Sequence, residues 1–239
     1  MTLTTLRSAF RLYTPEADDT DVLSDPNLNT LLNLAAQAFV NITDCLPTDD
    51  TFTAITSQQN YNISSVLTGF GKIRKEGIWF YNVSSTKWKQ LESSTIAYLN
   101  SNYPAWLNAS AGLPLRYYIE GDRIGLDPKP SSTYAGTNYV KVFYYKRSTD
   151  MSADTHYPFS GSTTQYPHLA DYEEVLLDWV KYRVKQIGGK AGEAEEAKTM
   201  FYTKCLKIKQ ELSYRPDLIP NFRMRGVGNL SHFNGVFEK

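Results

Sequence analysis

The spacing of apolar residues changes twice along this chain, and the change limits the folds that it can adopt. Between residues 25 and 46, apolar side chains recur every three or four positions, which is the spacing of one face of an α-helix. Similar spacing returns in residues 171–187 and 193–213. Residues 51–150 instead contain short aromatic and β-branched runs broken by Gly, Ser, Asn and Pro, which is typical of strands and turns. The apolar positions of the first helix are Leu28, Leu32, Ala35, Phe39 and Ile42.

Capping residues predict where the first long helix begins and ends. Asp25 is followed by Pro26, and proline is favoured in the first helical turn because no amide hydrogen is missed there. We expect Asp25 to accept hydrogen bonds from the free amides of that turn, and Pro47 to end the helix. A shorter amphipathic helix is predicted over residues 3–13, ahead of an acidic loop.

The last two helices are separated by Gly188-Gly189, and glycine ends a helix readily because it adopts positive backbone torsion. A connection of about three to five residues favours an antiparallel helical hairpin. The predicted inward face of its first helix consists of Tyr172, Val175, Leu176, Trp179, Val180 and Ile187. That of its second helix consists of Ala194, Ala197, Phe201, Cys205, Ile208 and Leu212.

The central section is predicted to form strands, with one short helix between residues 93 and 103 that stops at Pro104. The strongest strand pattern covers residues 139–145, where aromatic and β-branched residues dominate. The other predicted strands are residues 78–83 and 88–91, joined by a turn, and residues 115–119 and 123–126, joined by Gly121-Asp122.

These patterns predict an α+β fold: a helical bundle, made of the N-terminal helices and the C-terminal helical hairpin, with a β-rich insert. After residue 213 the periodicity disappears, and two prolines and three glycines follow. We therefore predict an extended C-terminal arm. The predicted division is residues 1–50 for the N-terminal helices, 51–150 for the insert subdomain, 151–213 for the loop and hairpin, and 214–239 for the arm.

The charge of the chain is balanced overall, with 25 basic and 25 acidic side chains. This excludes a highly charged disordered chain, and also a protein that holds nucleic acid through bulk positive charge. Along the chain the charge is uneven. Residues 1–65 contain eight acids and two bases, and residues 198–225 contain seven bases and two acids. Such polarity fits two surfaces that face different partners or neighbouring copies, and ordinary solvated faces explain it equally well.

Composition also limits the compartment and the covalent chemistry. No apolar run approaches the roughly 18 residues of a membrane-spanning helix, so no membrane contact is expected. The stretch MTLTTLRSAF lacks the basic-then-apolar layout of a secretory signal. Two cysteines, Cys45 and Cys205, are too few for a disulfide framework or a four-cysteine zinc site.

No catalytic constellation, cofactor motif or metal site is predicted. The chain has no phosphate-binding glycine loop, dinucleotide fingerprint, HExxH helix or GxSxG elbow. The carboxylates of the EGDRIGLD stretch, Glu120, Asp122 and Asp127, could bind calcium or act as an acid–base pair. Turns select Asp and Gly for backbone reasons alone, however, so a turn is the preferred interpretation.

Runs of aromatic residues in the central section leave two interpretations open. Trp79-Phe80-Tyr81 and Tyr144-Tyr145 could supply a platform for binding sugars. Such runs more often place one face of a sheet in the core and the other face in an oligomer contact.

The stretch TLRSAFRLYTPEADDTDVLSDPNLNTLLNLAAQAF resembles the N-terminal signature of head-to-tail adaptor (connector) proteins of tailed bacteriophages. That signature is a short Leu-Arg helix, an acidic loop, and Ser-Asp before a helix with an Asn-x-Ala core. A second resemblance, to longer adaptors with an aromatic β insert, is carried by residues 88–91, 114–126 and 140–145. A third lies in the closing hairpin, from Leu169 to Leu212. The signature is carried here by Leu6-Arg7, Ser24-Asp25, Leu28, Leu32-Asn33 and Ala35-Ala36.

The resemblance implies a virion structural protein with no enzymatic activity and no cofactor. Such adaptors form a ring, typically of about twelve copies, beneath the portal of a DNA-filled capsid. The ring extends the DNA channel, lies close to the DNA without specific contacts, and provides the surface for tail or stopper proteins. The resemblance also implies a location in the neck of the virion, after synthesis in the host cytoplasm.

The arm is expected to dock on the portal or on a neighbouring copy, because an idle solvated tail would seldom keep so many apolar residues. The insert is expected to project from the bundle towards tail components. Two alternatives belong to other classes of protein: a carbohydrate-binding virion protein that uses the insert, and a hydrolase with Glu120 or Asp122 at its site. The predicted docking residues of the arm are Leu218, Ile219, Phe222, Arg223, Arg225, Phe233 and Phe237.

Overall fold

The computed structural model describes residues 1–14 and 23–213. The helices in these ranges are α1 (Leu3–Tyr13), α2 (Asp25–Thr43), α3 (Ile63–Val66), α4 (Ile96–Asn102), α5 (Val175–Ile187) and α6 (Ala191–Ser213). The strands are β1 (Pro47–Ala54), β2 (Asn60–Asn62), β3 (Phe70–Asn82), β4 (Lys87–Gln90), β5 (Glu92–Ser93), β6 (Arg116–Glu120), β7 (Arg123–Asp127) and β8 (Gly136–Lys146). In the same ranges no helix has both the length and the apolar composition that crossing a membrane requires.

The helices from the two ends of the chain pack into one bundle. α2 contacts both α5 and α6, which pair with each other, and α1 contacts α2 and α5. Leu32 and Phe39 of α2 share a core with Phe201 of α6, and all three side chains are fully buried. The predicted α+β fold, a helical bundle with a β-rich insert between its N-terminal and C-terminal helices, is therefore confirmed for the described residues.

The two helices of the hairpin match their predicted faces to different degrees. The buried residues of α6 are those predicted, from Ala194 to Leu212. In α5, Trp179 packs against the core but is only half-buried, whereas Ile187 is 61% exposed, so the prediction is wrong for Ile187. The apolar residues of α5 that pack against the core end at Val184, about one turn before Ile187.

Both predicted ends of α2 differ in detail from the structure. Ser24 occupies the N-cap position without a side-chain hydrogen bond, and Asp25 is drawn instead into ion pairs with Arg7 and Arg11 of α1. A charge-assisted bond to guanidinium is stronger than one to a neutral amide, which explains why Asp25 does not cap the helix. α2 also ends at Thr43, because Asp44 adopts a left-handed φ of 57°. The first strand begins at Pro47, the residue predicted to end the helix.

The insert consists of two four-stranded sheets. The first has the strand order β1-β8-β3-β4 and the second β2-β7-β6-β5. Neighbouring strands are antiparallel except β5 and β6. The two predicted hairpins are present as β3–β4 and β6–β7, and the strongest predicted strand is the centre of β8.

The two sheets enclose a second cluster of buried side chains, separate from that of the bundle. Ile78, Phe80 and Val142 come from the first sheet, and Ile124 and Leu126 from the second. The chain enters this insert through β1 and leaves it through β8, and these strands are paired in register from Pro47 opposite Tyr145. Whether the insert folds as an independent subdomain stays a prediction.

The loop from β8 to α5 is fastened to α2 through Asn33, a residue of the N-terminal signature. The Asn33 amide nitrogen donates to the Met151 carbonyl at 3.2 Å, and the Met151 amide donates to the Asn33 carbonyl oxygen at 2.9 Å. The Phe159 ring of the same loop lies 5.0 Å from the Phe39 ring. Asn33 therefore holds the chain where it returns from the insert to the bundle.

Candidate interaction surfaces

The alternation of β3 and β8 divides the aromatic residues of the first sheet between two faces. Phe80 and Tyr144 are buried in the core between the sheets, and the side chains next to them point the other way. This confirms that one face of the aromatic runs lies in the core; whether the other face forms an oligomer contact stays a prediction. We call the surface the outer aromatic face; its aromatic residues are Trp79, Tyr81, Trp88, Tyr139, Phe143 and Tyr145.

The rings of the outer aromatic face contact one another across three strands. Tyr81 lies between Trp88, at 5.5 Å, and Tyr139, at 5.3 Å, and Trp79 lies 6.2 Å from Phe143, all measured between ring centroids. These separations are those of attractive tilted and edge-to-face pairs. The rings consequently hold one another in place before any partner binds.

Three cations lie over the rings nearest the bundle. Lys141 lies 5.0 Å from the Phe143 ring, and Lys72 lies 5.6 Å from the Tyr145 ring. Arg74 lies between these two rings, at 5.9 and 5.8 Å. Cation–π contacts of this kind are attractive, and they extend the ordered surface beyond the aromatic side chains.

Each of these cations also has a carboxylate partner. Lys141 pairs with Asp49 at 2.8 Å, Arg74 with Glu76 at 2.8 Å, and Lys72 with Asp44 at 2.6 Å. The cations of the face are thus neutralised locally, so the face lacks the excess of positive charge that binds nucleic-acid phosphates. Tyrosine, tryptophan and arginine are enriched in protein interfaces, and this surface fits that class of site.

Asp44 joins the outer aromatic face to the bundle. One carboxylate oxygen accepts from Lys72 of β3 at 2.6 Å, and the other accepts from Lys209 of α6 at 2.8 Å. Lys209 also donates to the Ile42 carbonyl at 3.0 Å. A carboxylate at the C-terminal end of a helix is disfavoured by the helix dipole, and here two ammonium groups offset that cost.

We expect Asp44→Asn to lower the free energy of unfolding by about 1 kcal/mol, because two ion pairs lose their charge. Asparagine tolerates the left-handed φ, so the backbone is unaffected. Urea unfolding in low salt measures the loss. Asp49→Asn, which removes one exposed ion pair, is the control and should cost less; equal losses would contradict the role given to Asp44.

Two parts of the N-terminal signature meet in space. The Arg7 guanidinium is 8% exposed and lies 3.0 Å from Asp25 and 2.6 Å from Asp154. Arg11 pairs with Asp25 from the other side at 2.5 Å. Leu6-Arg7 and Ser24-Asp25 are therefore joined by ion pairs that fix α1 against the start of α2.

This arrangement predicts a pH dependence. The hydrogen bond from Arg11, together with the charges of Arg7 and Arg11, holds the pKa of Asp25 below its usual value. The resulting stabilisation is present above the unfolded-state pKa of about 4 and is lost as the pH falls through the lower folded-state pKa. We therefore expect Asp25→Asn to be less stable than the parent at pH 7, with the difference disappearing in acid.

Urea midpoints measured between neutral pH and strong acid test this dependence. Glu120→Gln, at an exposed turn, is the control and should show no comparable trend. A difference between parent and Asp25→Asn that is constant over the whole range would contradict the assignment.

The β6–β7 hairpin does not bring the carboxylates of Glu120, Asp122 and Asp127 together at one site. In the β6–β7 register, Glu120 is opposite Arg123 and Asp127 is opposite Arg116, so Glu120 and Asp127 lie at opposite ends. Asp127 is buried against Arg116 at 3.2 Å, whereas Asp122 is exposed at the turn. The turn interpretation therefore fits. Residues 1–14 and 23–213 contain no group of three or more His, Cys, Asp or Glu placed to hold a metal ion.

The histidines and cysteines that the structure describes lie in local hydrogen-bonding contacts or in the core. The His156 ring nitrogen lies 3.3 Å from the Ser152 amide, and His168 lies 3.5 Å from the Cys45 carbonyl. Cys45 and Cys205 are free and buried in the bundle core. Burial raises the pKa of each thiol to about 12, which keeps both protonated and unreactive at neutral pH.

A second concave surface lies at the second sheet, and the sequence patterns did not indicate it. Arg116 stacks on the Tyr103 ring at 3.9 Å, donates to the Tyr103 hydroxyl at 2.6 Å and pairs with Asp127. With Trp106 and Pro128, these residues line a shallow cleft of about 480 Å³. Tyr103 and Arg116 of β6 are brought together by the fold, so no local sequence motif predicts their contact.

Of the eight acids in the first 65 residues, the four that the structure describes are used inside the fold. Asp25, Asp44 and Asp49 form ion pairs, and Asp50 accepts a hydrogen bond from the buried Tyr144 hydroxyl at 2.6 Å. These four carboxylates thus stabilise the chain itself.

The other charged and apolar residues singled out in the sequence lie outside the described residues, so their roles stay predictions. They are Glu16, Asp18, Asp19 and Asp21 of the acidic loop, and the arm residues Leu218, Ile219, Phe222, Arg223, Arg225, Phe233 and Phe237.

The chain was compared with models of protein families. A family model described as SU10 adaptor protein matches residues 1–219. The match spans the bundle, the insert and the first residues of the predicted arm. Comparison with curated proteins gives no significant match.

Proposed function

The chain belongs to the SU10 adaptor protein family of phage structural proteins, and from this premise we propose that its copies form a ring beneath the portal. The ring, of about twelve copies, extends the DNA channel and provides the surface on which the tail or stopper proteins assemble. It lies in the neck of the virion, and its subunits are made in the host cytoplasm. The protein acts as a scaffold, without catalysis or a cofactor.

The family match over residues 1–219 is the observation that carries this proposal. The charge of the chain agrees with a DNA conduit. Because the formal net charge is zero, the ring need not hold DNA through release of counterions, and DNA can slide past it without specific contacts.

Within this ring we assign different partners to the arm and to the insert. The arm docks on the portal or on a neighbouring copy through its apolar and basic residues, and it gains order when these side chains are buried. The insert projects from the bundle and receives tail or stopper proteins. Two sheets around a separate core give the insert the rigid surface that this role requires.

Negative-stain imaging and binding measurements with purified portal test both parts of the proposal. The full chain should give rings or portal adducts, and a chain ending at Ser213 should bind the portal at least about tenfold more weakly. Ile187→Ala, which changes an exposed residue of the bundle, is the control and should bind normally. Undiminished binding by the shortened chain would exclude the arm as the anchor. Absence of both rings and adducts for the full chain would exclude the portal-bound ring.

One observation favours a second candidate function, carbohydrate binding. The cleft at the second sheet combines the Tyr103 ring with the polar groups of Arg116 and Asn108, and sugars are bound by such aromatic and polar combinations. A discrete monomer that binds oligosaccharides, and loses them in Tyr103→Ala, would support this function over the ring. The hydrolase alternative gains no such support, because Glu120 and Asp122 are exposed at a turn.

A further inference from the structure

We propose that the outer aromatic face is the docking surface for the C-terminal segment of the same chain, residues 214–239, before a partner takes that segment. The inference concerns the free protein. It does not depend on the proposed ring, and it names the surface that competes with a partner for the arm.

The first argument is the place where the segment begins. α6 ends at Ser213, one helical turn after Lys209. Lys209 holds Asp44, Asp44 holds Lys72, and Lys72 lies over the ring of Tyr145. Three successive contacts therefore lead from the end of α6 to the first ring of the outer aromatic face.

The second argument is reach. Along β8, the face runs from Tyr145 to Tyr139, which is about 20 Å, and crossing from β8 to β4 adds about 10 Å. The segment has 26 residues and can span up to about 85 Å when extended. Phe222, its first phenylalanine, is nine residues beyond Ser213 and can reach about 30 Å. The whole face is therefore accessible without any rearrangement of the described residues.

The third argument is chemical complementarity. Two prolines and three glycines interrupt the apolar residues of the segment, so it has no continuous helical or strand pattern with which to build a core of its own. The outer aromatic face offers half-buried rings on which phenylalanine side chains can pack and over which Arg223 and Arg225 can stack. Because the cations of the face are already paired with carboxylates, repulsion of these arginines is weak.

Covalent attachment favours this contact over one with another molecule. A segment tethered next to its docking surface is present at an effective concentration in the millimolar range, so modest aromatic contacts suffice to hold it. A portal or neighbouring copy then has to displace the segment from its own chain. The outer aromatic face would delay the release of the arm until a stronger surface is present.

Limited trypsin digestion of the full chain, without portal, tests the proposal. The readout is the rate of cleavage after Arg223 and Arg225, followed by the mass of the released C-terminal fragments. Replacing two rings, Tyr81→Ala with Trp88→Ala, should raise that rate about tenfold. The reason is that each lost ring weakens the docking of the segment about threefold, and the two effects multiply. Tyr98→Ala, an exposed ring near the second sheet, is the matched control and should leave the rate unchanged.

Two results would overturn the proposal. A cleavage rate in the double variant equal to that of the parent would show that the face does not hold the segment. A parent rate that falls as the protein concentration rises would show that another copy holds it. Melting curves check that the variants fold; if the double variant does not, Trp88→Ala alone, at the edge strand, should still raise the rate several-fold. Since no portal is present, failure here leaves portal anchoring to be judged by its own binding experiment.

Discussion

Replacing Phe201 by alanine is expected to lower the free energy of unfolding by about 3–5 kcal/mol, the range for removing a large buried aromatic side chain. Phe201 has no exposed surface, and it lies on the face of α6 that enters the core shared with α2 and α5. The remaining side chains cannot close the resulting cavity without moving helices that are fixed on several sides. Urea unfolding followed by circular dichroism measures the change.

Two variants make this result specific. Tyr202→Ala alters the next residue of the same helix, which is 46% exposed, and should cost far less. Trp179→Ala should also fall below the range for Phe201, because its side chain is only half-buried at the edge of the core. Losses of equal size at Phe201 and Tyr202 would show that this face of α6 is not buried in solution.

Gly125→Ala is expected to destabilise the insert by about 1–3 kcal/mol through overpacking. A Cβ at this position would lie 2.0–2.4 Å from ring atoms of Tyr118, which is far inside van der Waals contact. Tyr118 is buried, its hydroxyl donates to Asn60 at 2.8 Å, and its ring packs on Trp106 at 5.3 Å. Relief of the clash therefore requires Tyr118 to leave a position that is fixed by both contacts.

Gly192→Ala provides the opposite case for comparison. A Cβ on Gly192 would meet nothing within 4 Å, and the residue lies in the first turn of α6, where alanine is favoured over glycine. The free energy of unfolding of the Gly192→Ala variant should equal that of the parent or be slightly higher. Thermal unfolding of both variants gives the comparison, and a stable Gly125→Ala protein would contradict the packing of Tyr118 across β7.

The helical faces were predictable because burial on a helix follows a fixed period. The six buried residues of α6 were all predicted, and β8 was indicated by the strongest aromatic and β-branched run. The period does not say where the core ends along a helix, and for this reason it predicts a buried Ile187 although the apolar contacts of α5 with the core end at Val184.

The candidate surfaces were harder to predict because their contacts join distant parts of the chain. The aromatic runs indicated a surface face, but the pairing of Asp44 with both Lys72 and Lys209 depends on where two other elements arrive. Likewise, Asn33 shows no local sign that it binds the backbone of Met151, 118 residues later. Asp25 matches a capping pattern. Its carboxylate instead pairs with two arginines of α1, and this contact depends on where α1 packs.

The pairing of Pro47 with Tyr145 has a consequence for how such chains change over generations. Paired residues of antiparallel strands have Cα atoms about 5 Å apart, so the two points where the chain crosses into the insert are neighbours. A short turn can bridge that gap, and a different module with adjacent ends can occupy it. Genetic exchange at these two crossings would therefore replace everything between them as a cassette, while α1, α2, α5 and α6 keep their places. A lineage could in this way acquire a new insert in one recombination event and retain the contacts that hold the bundle together.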